Sequence, residues 1–205
     1  SLSNAGSYDD FFAALTFDRP DVIEQLLTRG FDPNTPNEKG LPGLLVALQS
    51  ESPKSALVLA KHPHTHVNVQ NQFGETPLML AAISNQVELA KVLIEQGADV
   101  NRPGWTPLHY AATRGHRDMM RLLLDHDAYI DSESANGTTP LMLAAYSAPP
   151  LAVKLLLEEG ADPTLVNSGH ASALDLALSK DRVQSAFYIR AFIESWYIQN
   201  PLKEE

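Results

Sequence analysis

Thr76-Pro77-Leu78-Met79-Leu80-Ala81-Ala82 returns as Thr106-Pro107-Leu108-His109-Tyr110-Ala111-Ala112 and again as Thr139-Pro140-Leu141-Met142-Leu143-Ala144-Ala145. A worn copy follows at Ser172-Ala173-Leu174-Asp175-Leu176-Ala177-Leu178. The starts lie 30, 33 and 33 residues apart. A fixed period of this length is the mark of a stacked repeat architecture. In such a chain the functional question shifts from a catalytic pocket to a binding surface.

A second motif keeps the same register. Gly97-Ala98-Asp99-Val100-Asn101 recurs as Asp127-Ala128-Tyr129-Ile130-Asp131, as Gly160-Ala161-Asp162-Pro163-Thr164, and earlier as Gly30-Phe31-Asp32-Pro33-Asn34. In the three clear units it starts 21 residues after the first motif.

The chemistry of one unit follows from these residues. Thr before Pro predicts a helix start, because the hydroxyl can cap a free N–H and Pro suits the first helical position. Small alanines on the first helix allow close approach of its neighbours. Val87, Leu89, Ala90, Leu93 and Ile94 are spaced for one apolar face of a second helix, and Gly97 ends it in a left-handed turn. Neither helix can bury its apolar side alone. Burying each Leu gains roughly 1.5–3 kcal/mol, against about 1–2 kcal/mol of backbone entropy per ordered residue, so units are expected to be stable only when stacked.

The paired motifs at this period resemble the ankyrin repeat over nearly the whole chain. The resemblance implies an all-α solenoid of about six stacked helix pairs with projecting β-hairpin or turn fingers. It also implies a protein-binding role through the fingers and the concave inner helices, with no catalytic residues and no cofactor. The expected units are about 8–36, 37–70, 71–103, 104–133, 134–166 and 167–200, in a single domain over 8–200, with residues 1–7 an N-terminal tail or tag remnant. The first unit lacks Thr-Pro and reads as an end cap. The last runs into a long aromatic helix over about 182–199 that is expected to cover the open end of the stack. The finger entering the fourth unit is shorter by three residues than its counterparts. It leaves Arg102-Pro103-Gly104-Trp105 as a turn carrying an exposed Trp.

Composition narrows the partners. With 15 basic and 25 acidic residues the formal charge is −10, which repels phosphate backbones, so nucleic acid is not an expected partner. No apolar run is long enough to insert into a membrane. The absence of cysteine removes disulfides, thiol catalysis and cysteine metal sites. The chain begins with Ser, which reads as a processed form from which a signal peptide could have been removed. Tyr8-Asp9-Asp10-Phe11-Phe12 followed by Gly30-Phe31-Asp32-Pro33-Asn34 is similar to bacterial ankyrin proteins often exported to the periplasm, so periplasm is favoured over cytoplasm. A monomer is expected, with self-association through the long aromatic C-terminal helix as a further possibility.

Two histidine features carry possible chemistry. His62, His64 and His66 would share one side of an extended segment and could hold zinc or nickel, which makes a metal-binding protein the alternative function. The preferred reading is a solvated loop between units. His109 is expected to make structural hydrogen bonds within the fingers, because Met79, Met142 and Asp175 hold the matching positions. Asn136-Gly137 reads as finger-turn chemistry, and the acidic stretch before it fails the calcium-loop pattern.

The resemblance assigns partner contacts to finger residues and to exposed ends of inner helices. In this chain these are Gln72, Phe73, Glu75, Ile83 and Ser84, then Trp105, Thr113 and Arg114, then Asn136, Thr138, Tyr146 and Ser147, then Ser168 and His170. Trp105, Arg114 and Tyr146 are residue types that dominate binding energy, and their spacing of roughly one unit would allow one patch. The preferred reading of Trp105 itself is that it folds back to fill the gap left by its shortened finger.

Overall fold

The computed structural model describes residues 4–200, and these form twelve α-helices. Two compact units divide between Asp99 and Val100. The first unit holds three helix pairs: α1 (Asn4–Thr16) with α2 (Pro20–Thr28), α3 (Gly43–Gln49) with α4 (Pro53–Lys61), and α5 (Pro77–Ile83) with α6 (Val87–Glu95). The first helices stack as α1 on α3 on α5, and the second helices as α2 on α4 on α6. In the second unit α7 (Pro107–Arg114) pairs with α8 (Arg117–Asp125), α9 (Pro140–Ser147) with α10 (Pro150–Glu158), and α11 (Ala173–Ser179) with α12 (Val183–Gln199). Here α7 packs on α9 and α9 on α11, while α12 lies against both α10 and α11. The reading of residues 1–3 as tail or tag lies outside the described residues, whereas residues 4–7 belong to α1.

The helix boundaries follow from the expected local chemistry. Thr76 and Thr139 precede Pro at the first helical position, and each hydroxyl accepts the N–H three residues on, from Met79 and Met142, at 3.3 Å. Ser172 does the same for Asp175 at 3.2 Å, and the Asp175 carboxylate takes the Ser172 N–H at 2.8 Å and its hydroxyl at 2.6 Å. These bonds hold the Asp175 carboxyl below its ordinary range. At the other end, Gly97 takes φ +89° after α6, so that Ala98 N–H reaches Leu93 O at 2.8 Å and Gly97 N–H reaches Ile94 O at 3.0 Å. Asp127 holds the same left-handed position at φ +62°, with Ala128 N–H on Leu123 O at 3.0 Å.

The alanines carry the close packing that their motif implied. Ala81, Ala82, Ala111, Ala112, Ala144 and Ala145 are all fully buried. In the first unit Phe11 is buried, with its ring 4.6 Å from Phe31 and 5.1 Å from Phe12. Gly43 occupies the slot that holds Pro77 in the next pair, and a Cβ there would lie 2.8 Å from the Phe11 ring. The first pair therefore seats an aromatic where the second pair offers no side chain.

Candidate protein-binding surface

Three fingers are each organised by one asparagine, and a fourth by a serine together with an asparagine. In the first unit Asn37 and Asn71 open their fingers, and each carbonyl accepts the N–H of the glycine three residues on, Gly40 at 2.8 Å and Gly74 at 3.0 Å. Each side-chain Oδ1 accepts two further N–H groups, from Lys39 and Leu41 at 3.0 and 2.9 Å, and from Phe73 and Glu75 at 2.9 and 3.0 Å. In the second unit Asn167 repeats this with Gly169 and Ala171, and Ser134 substitutes its hydroxyl. Among the described residues, bridged pairing is confined to Pro36 with Pro42 and Val166 with Ser172, so the fingers are tight turns more than hairpins.

A second set of side chains ties each finger base to the following pair. Asn34, Asn68 and Asn101 each donate Nδ2–H to a carbonyl (His64, Gly97 and Asp127) and accept an N–H two residues beyond it (His66, Asp99 and Tyr129), all at 2.7–3.0 Å. The next position is Asp131, whose carboxylate accepts Asp162 N–H at 3.0 and 3.3 Å but has no amide hydrogen to offer. Burial and the nearby Asp162 charge push the Asp131 carboxyl above its ordinary range, against the Asp162 N–H bond that lowers it. Sequence reasoning misses these clamps, because it uses the final Asn of Gly-Ala-Asp-Val-Asn only as a register mark. The recurrence of that Asn is the available signal.

His109 is an internal tie, as its position implied. It is fully buried. Its Nδ1 accepts Thr106 N–H at 3.1 Å and lies 2.9 Å from the Thr106 hydroxyl, so the proton sits on Nε2, which donates to Thr138 O at 2.9 Å. Burial holds the imidazole below its ordinary value, opposed by bonds to the Thr138 and Ser132 backbone.

The second unit exposes a mixed aromatic and basic surface on its first helices. Trp105 is 44% exposed while its ring leans on His109 at 5.3 Å and on Tyr110 at 6.0 Å, so it both fills space beside its short finger and shows a face to solvent. Arg114 is exposed at the end of α7. Tyr146 is 43% exposed on α9, with Lys180 Nζ 4.6 Å above its ring. Lys180 holds in the sixth unit the motif position that Arg114 holds in the fourth. On the inner helices α7, α9 and α11 the sole acid is Asp175, whose carboxylate is taken up by Ser172.

Other expected contacts divide by accessibility. Gln72, Phe73, Ser84, Asn136, Ser147, Ser168 and His170 are exposed. Ile83 and Thr113 are half-buried, and the Thr113 hydroxyl is spent on His109 O at 2.9 Å. Ser147 donates to Thr113 O at 2.7 Å. Glu75 is half-buried and accepts from Asn71 at 2.7 Å. Thr138 corrects an expectation: it is buried, with its backbone O on His109 and its N–H on Ser134, and it presents little surface.

The histidine alternative also needs correcting. Pro63 lies in a turn in which Thr65 N–H bonds His62 O at 3.0 Å, so the segment holding His62, His64 and His66 is not extended and its side chains do not alternate onto one side. His62 and His64 rings meet edge to face at 5.5 Å, and the His62 Nδ1 accepts the His64 N–H. Among the described residues no group of three potential ligands converges. An open groove of about 750 Å³ runs between α2 and α4, lined by Leu27, Leu57, Val58, Lys54 and Lys61 among others, and it holds none of the expected partner-binding residues. Among the described residues no helix is long and apolar enough to cross a membrane.

Comparison with known proteins places this geometry. The family model "Ankyrin repeats (3 copies)" matches residues 11–103 and 101–167. The chain is 34% identical over 126 residues to the rat ankyrin repeat and SAM domain-containing protein 6, covering 60% of this chain and 14% of that protein. It is 31% identical over 150 residues to the Caenorhabditis elegans ankyrin repeat and KH domain-containing protein mask-1, covering 71% of this chain and 6% of that one. The chain thus spans a small fraction of the curated relatives it matches. An ankyrin repeat domain from Acinetobacter baumannii superimposes with a TM-score of 0.78 at 23% identity, covering 89% of this chain and 96% of that domain, which is a likeness of fold.

Proposed function

The chain belongs to the ankyrin-repeat family, and we propose that it recognises another protein through the first helices and fingers of its second unit. Ankyrin repeats are in general protein–protein interaction modules, built on a scaffold that is not enzymatic. The observation that carries the specific reading is the partly exposed Trp105 and Tyr146 with the exposed Arg114 on successive helix pairs. Trp, Tyr and Arg are the residues most often found to dominate interface energy. Arg114 makes no ion pair among the described residues, and Lys180 sits on an aromatic ring, so both cations are available to a partner's carboxylates. Gln72, Phe73 and Ser84 are proposed as partner contacts of the first unit by itself. A single domain working as one binding module is part of the same proposal.

The experiment is capture from the native host with the wild-type chain, identification of the protein retained, and titration of that protein against wild type and the Trp105→Ala/Arg114→Ala variant. Two hot-spot residues predict a loss of at least about 2 kcal/mol, or roughly thirtyfold in Kd. Thermal melting is expected to stay nearly unchanged. Equal affinity of the double variant, or a binding loss that merely tracks loss of folding, would refute the assignment.

A further inference from the structure

Helix α12 has two apolar faces, and only one of them is used. Ser185, Ala186 and Ile189 are buried, and Phe192, Ile193 and Trp196 are half-buried on the same side, where α12 meets α10 and α11. Beside that buried side, Val183, Phe187, Arg190, Glu194, Tyr197 and Ile198 are all exposed, and at 3.6 residues per turn they fall within an arc of about 100°. A helix with one buried face should show polar residues on the other. Here Val183 is 77% exposed, Phe187 62%, Tyr197 49% and Ile198 81%. The helix is also 17 residues long, against nine for the α10 it packs on.

The polar exceptions say what covers this face. Arg190 and Glu194 are four residues apart, yet they form no ion pair with each other or with any described residue. Cation before anion is the less favourable order for such a pair along one helix. In a two-fold interface residue i meets j while j meets i, so a self-complementary face carries both signs at positions symmetric about the axis. An antiparallel pairing of two α12 helices with the axis level with Phe192 brings Arg190 of each copy level with Glu194 of the other. The same axis brings Phe187 of each level with Tyr197 of the other. We infer that the outer face of α12 is the interface with a second copy of this chain, packed antiparallel about a two-fold axis. This takes up the self-association weighed for the aromatic helix in place of the monomer expected from sequence. It does not depend on the proposed partner surface, which lies on the first helices and fingers.

The test is the mass of the chain in solution, by light scattering and sedimentation equilibrium up to on the order of 100 μM, where a micromolar dimer is populated. Wild type is expected to be a dimer. Arg190→Glu alone and Glu194→Arg alone each set like charges level twice per interface, and should weaken association at least about tenfold. The double variant Arg190→Glu/Glu194→Arg restores opposite charges and should restore the dimer. Phe187→Asp should give a monomer, and circular dichroism shows whether it still folds. If Phe187→Asp does not fold, the charge-reversal set decides alone. A monomeric wild type, single reversals that remain dimeric, or a double variant that fails to recover would each overturn the inference.

Discussion

Replacing Asp131 by an asparagine should make this protein more stable, although it removes a charge and creates no new apolar contact. At three matching positions an Asn amide both donates to a carbonyl and accepts an N–H two residues on (Asn34, Asn68 and Asn101). Asp131 makes only the accepting half, to Asp162 N–H. An amide at this position would supply the donor for Gly160 O, the carbonyl that corresponds to Gly97 O in the Asn68 clamp. It would also remove a half-buried carboxylate that faces the Asp162 charge. One net hydrogen bond contributes about 0.5–1.5 kcal/mol, and relief of the charge adds to it. A total near 1 kcal/mol raises Tm by about 2–4 °C in a chain of this size.

The pH dependence supplies a second handle with a defined sign. Because the folded state holds the Asp131 carboxyl above its unfolded value, the folded state binds the proton more tightly. The side chain therefore favours folding most below the unfolded carboxyl pKa, and that contribution is lost as pH rises through the raised folded value. The substituted amide does not titrate. The stability gap between Asp131→Asn and wild type should be widest near neutral pH and should narrow on acidification. Urea unfolding at a series of pH values from about 4 to 8 measures this directly, with Asn68→Asp as the reciprocal test, expected to lose a similar amount. An Asp131→Asn variant no more stable than wild type at neutral pH, or a gap independent of pH, would refute the reasoning.

Arg182 donates to the carbonyls of Tyr146, Ser147 and Ala148 at 2.9, 2.7 and 2.6 Å, so Arg182→Ala should lose about 1.5–3 kcal/mol in chemical unfolding. Arg182→Lys should recover only part of it, since an ammonium lacks the planar fork. Burial holds the His109 imidazole below its ordinary value, so its contribution to stability is present above the unfolded histidine pKa and is lost as pH falls. His109→Met, which installs the side chain that Met79 and Met142 carry at the matching positions, should flatten the stability profile between about pH 7 and 5 in thermal melts. Gly43→Ala places a methyl 2.8 Å from the Phe11 ring and should cost about 1–2 kcal/mol despite better helix propensity, with Phe11→Leu in the same chain reducing the loss.

What is legible in the sequence is what local chemistry determines. Thr-Pro starts and glycine stops act within four residues, so the helix pairs can be placed from Thr76, Thr139 and Gly97 alone. The histidine segment escapes such a reading because a single residue changes the geometry: Pro63 lies in a turn where alternation requires an extended chain. Thr138 escapes it for a longer-range reason. Its accessibility depends on His109, which lies 29 residues earlier in sequence.

The same distinction explains Arg182 and the clamps. The fourth unit ends its first helix with Gly115, but the fifth has Ser147-Ala148-Pro149-Pro150 there. The prolines offer no N–H groups, so the last carbonyls of α9 need other donors. Asking where those bonds go leads to a cation in the following unit, and Arg182 lies 34–36 residues on. Asn34, Asn68 and Asn101 bridge 26–32 residues in the same manner. In a repeat chain a period in polar residues warrants the same structural reading as a period in leucines, because a side chain that recurs once per unit meets the same backbone atoms of its neighbour each time. A break in that polar period, as at Asp131, then marks the junction where one substitution changes stability most per atom altered.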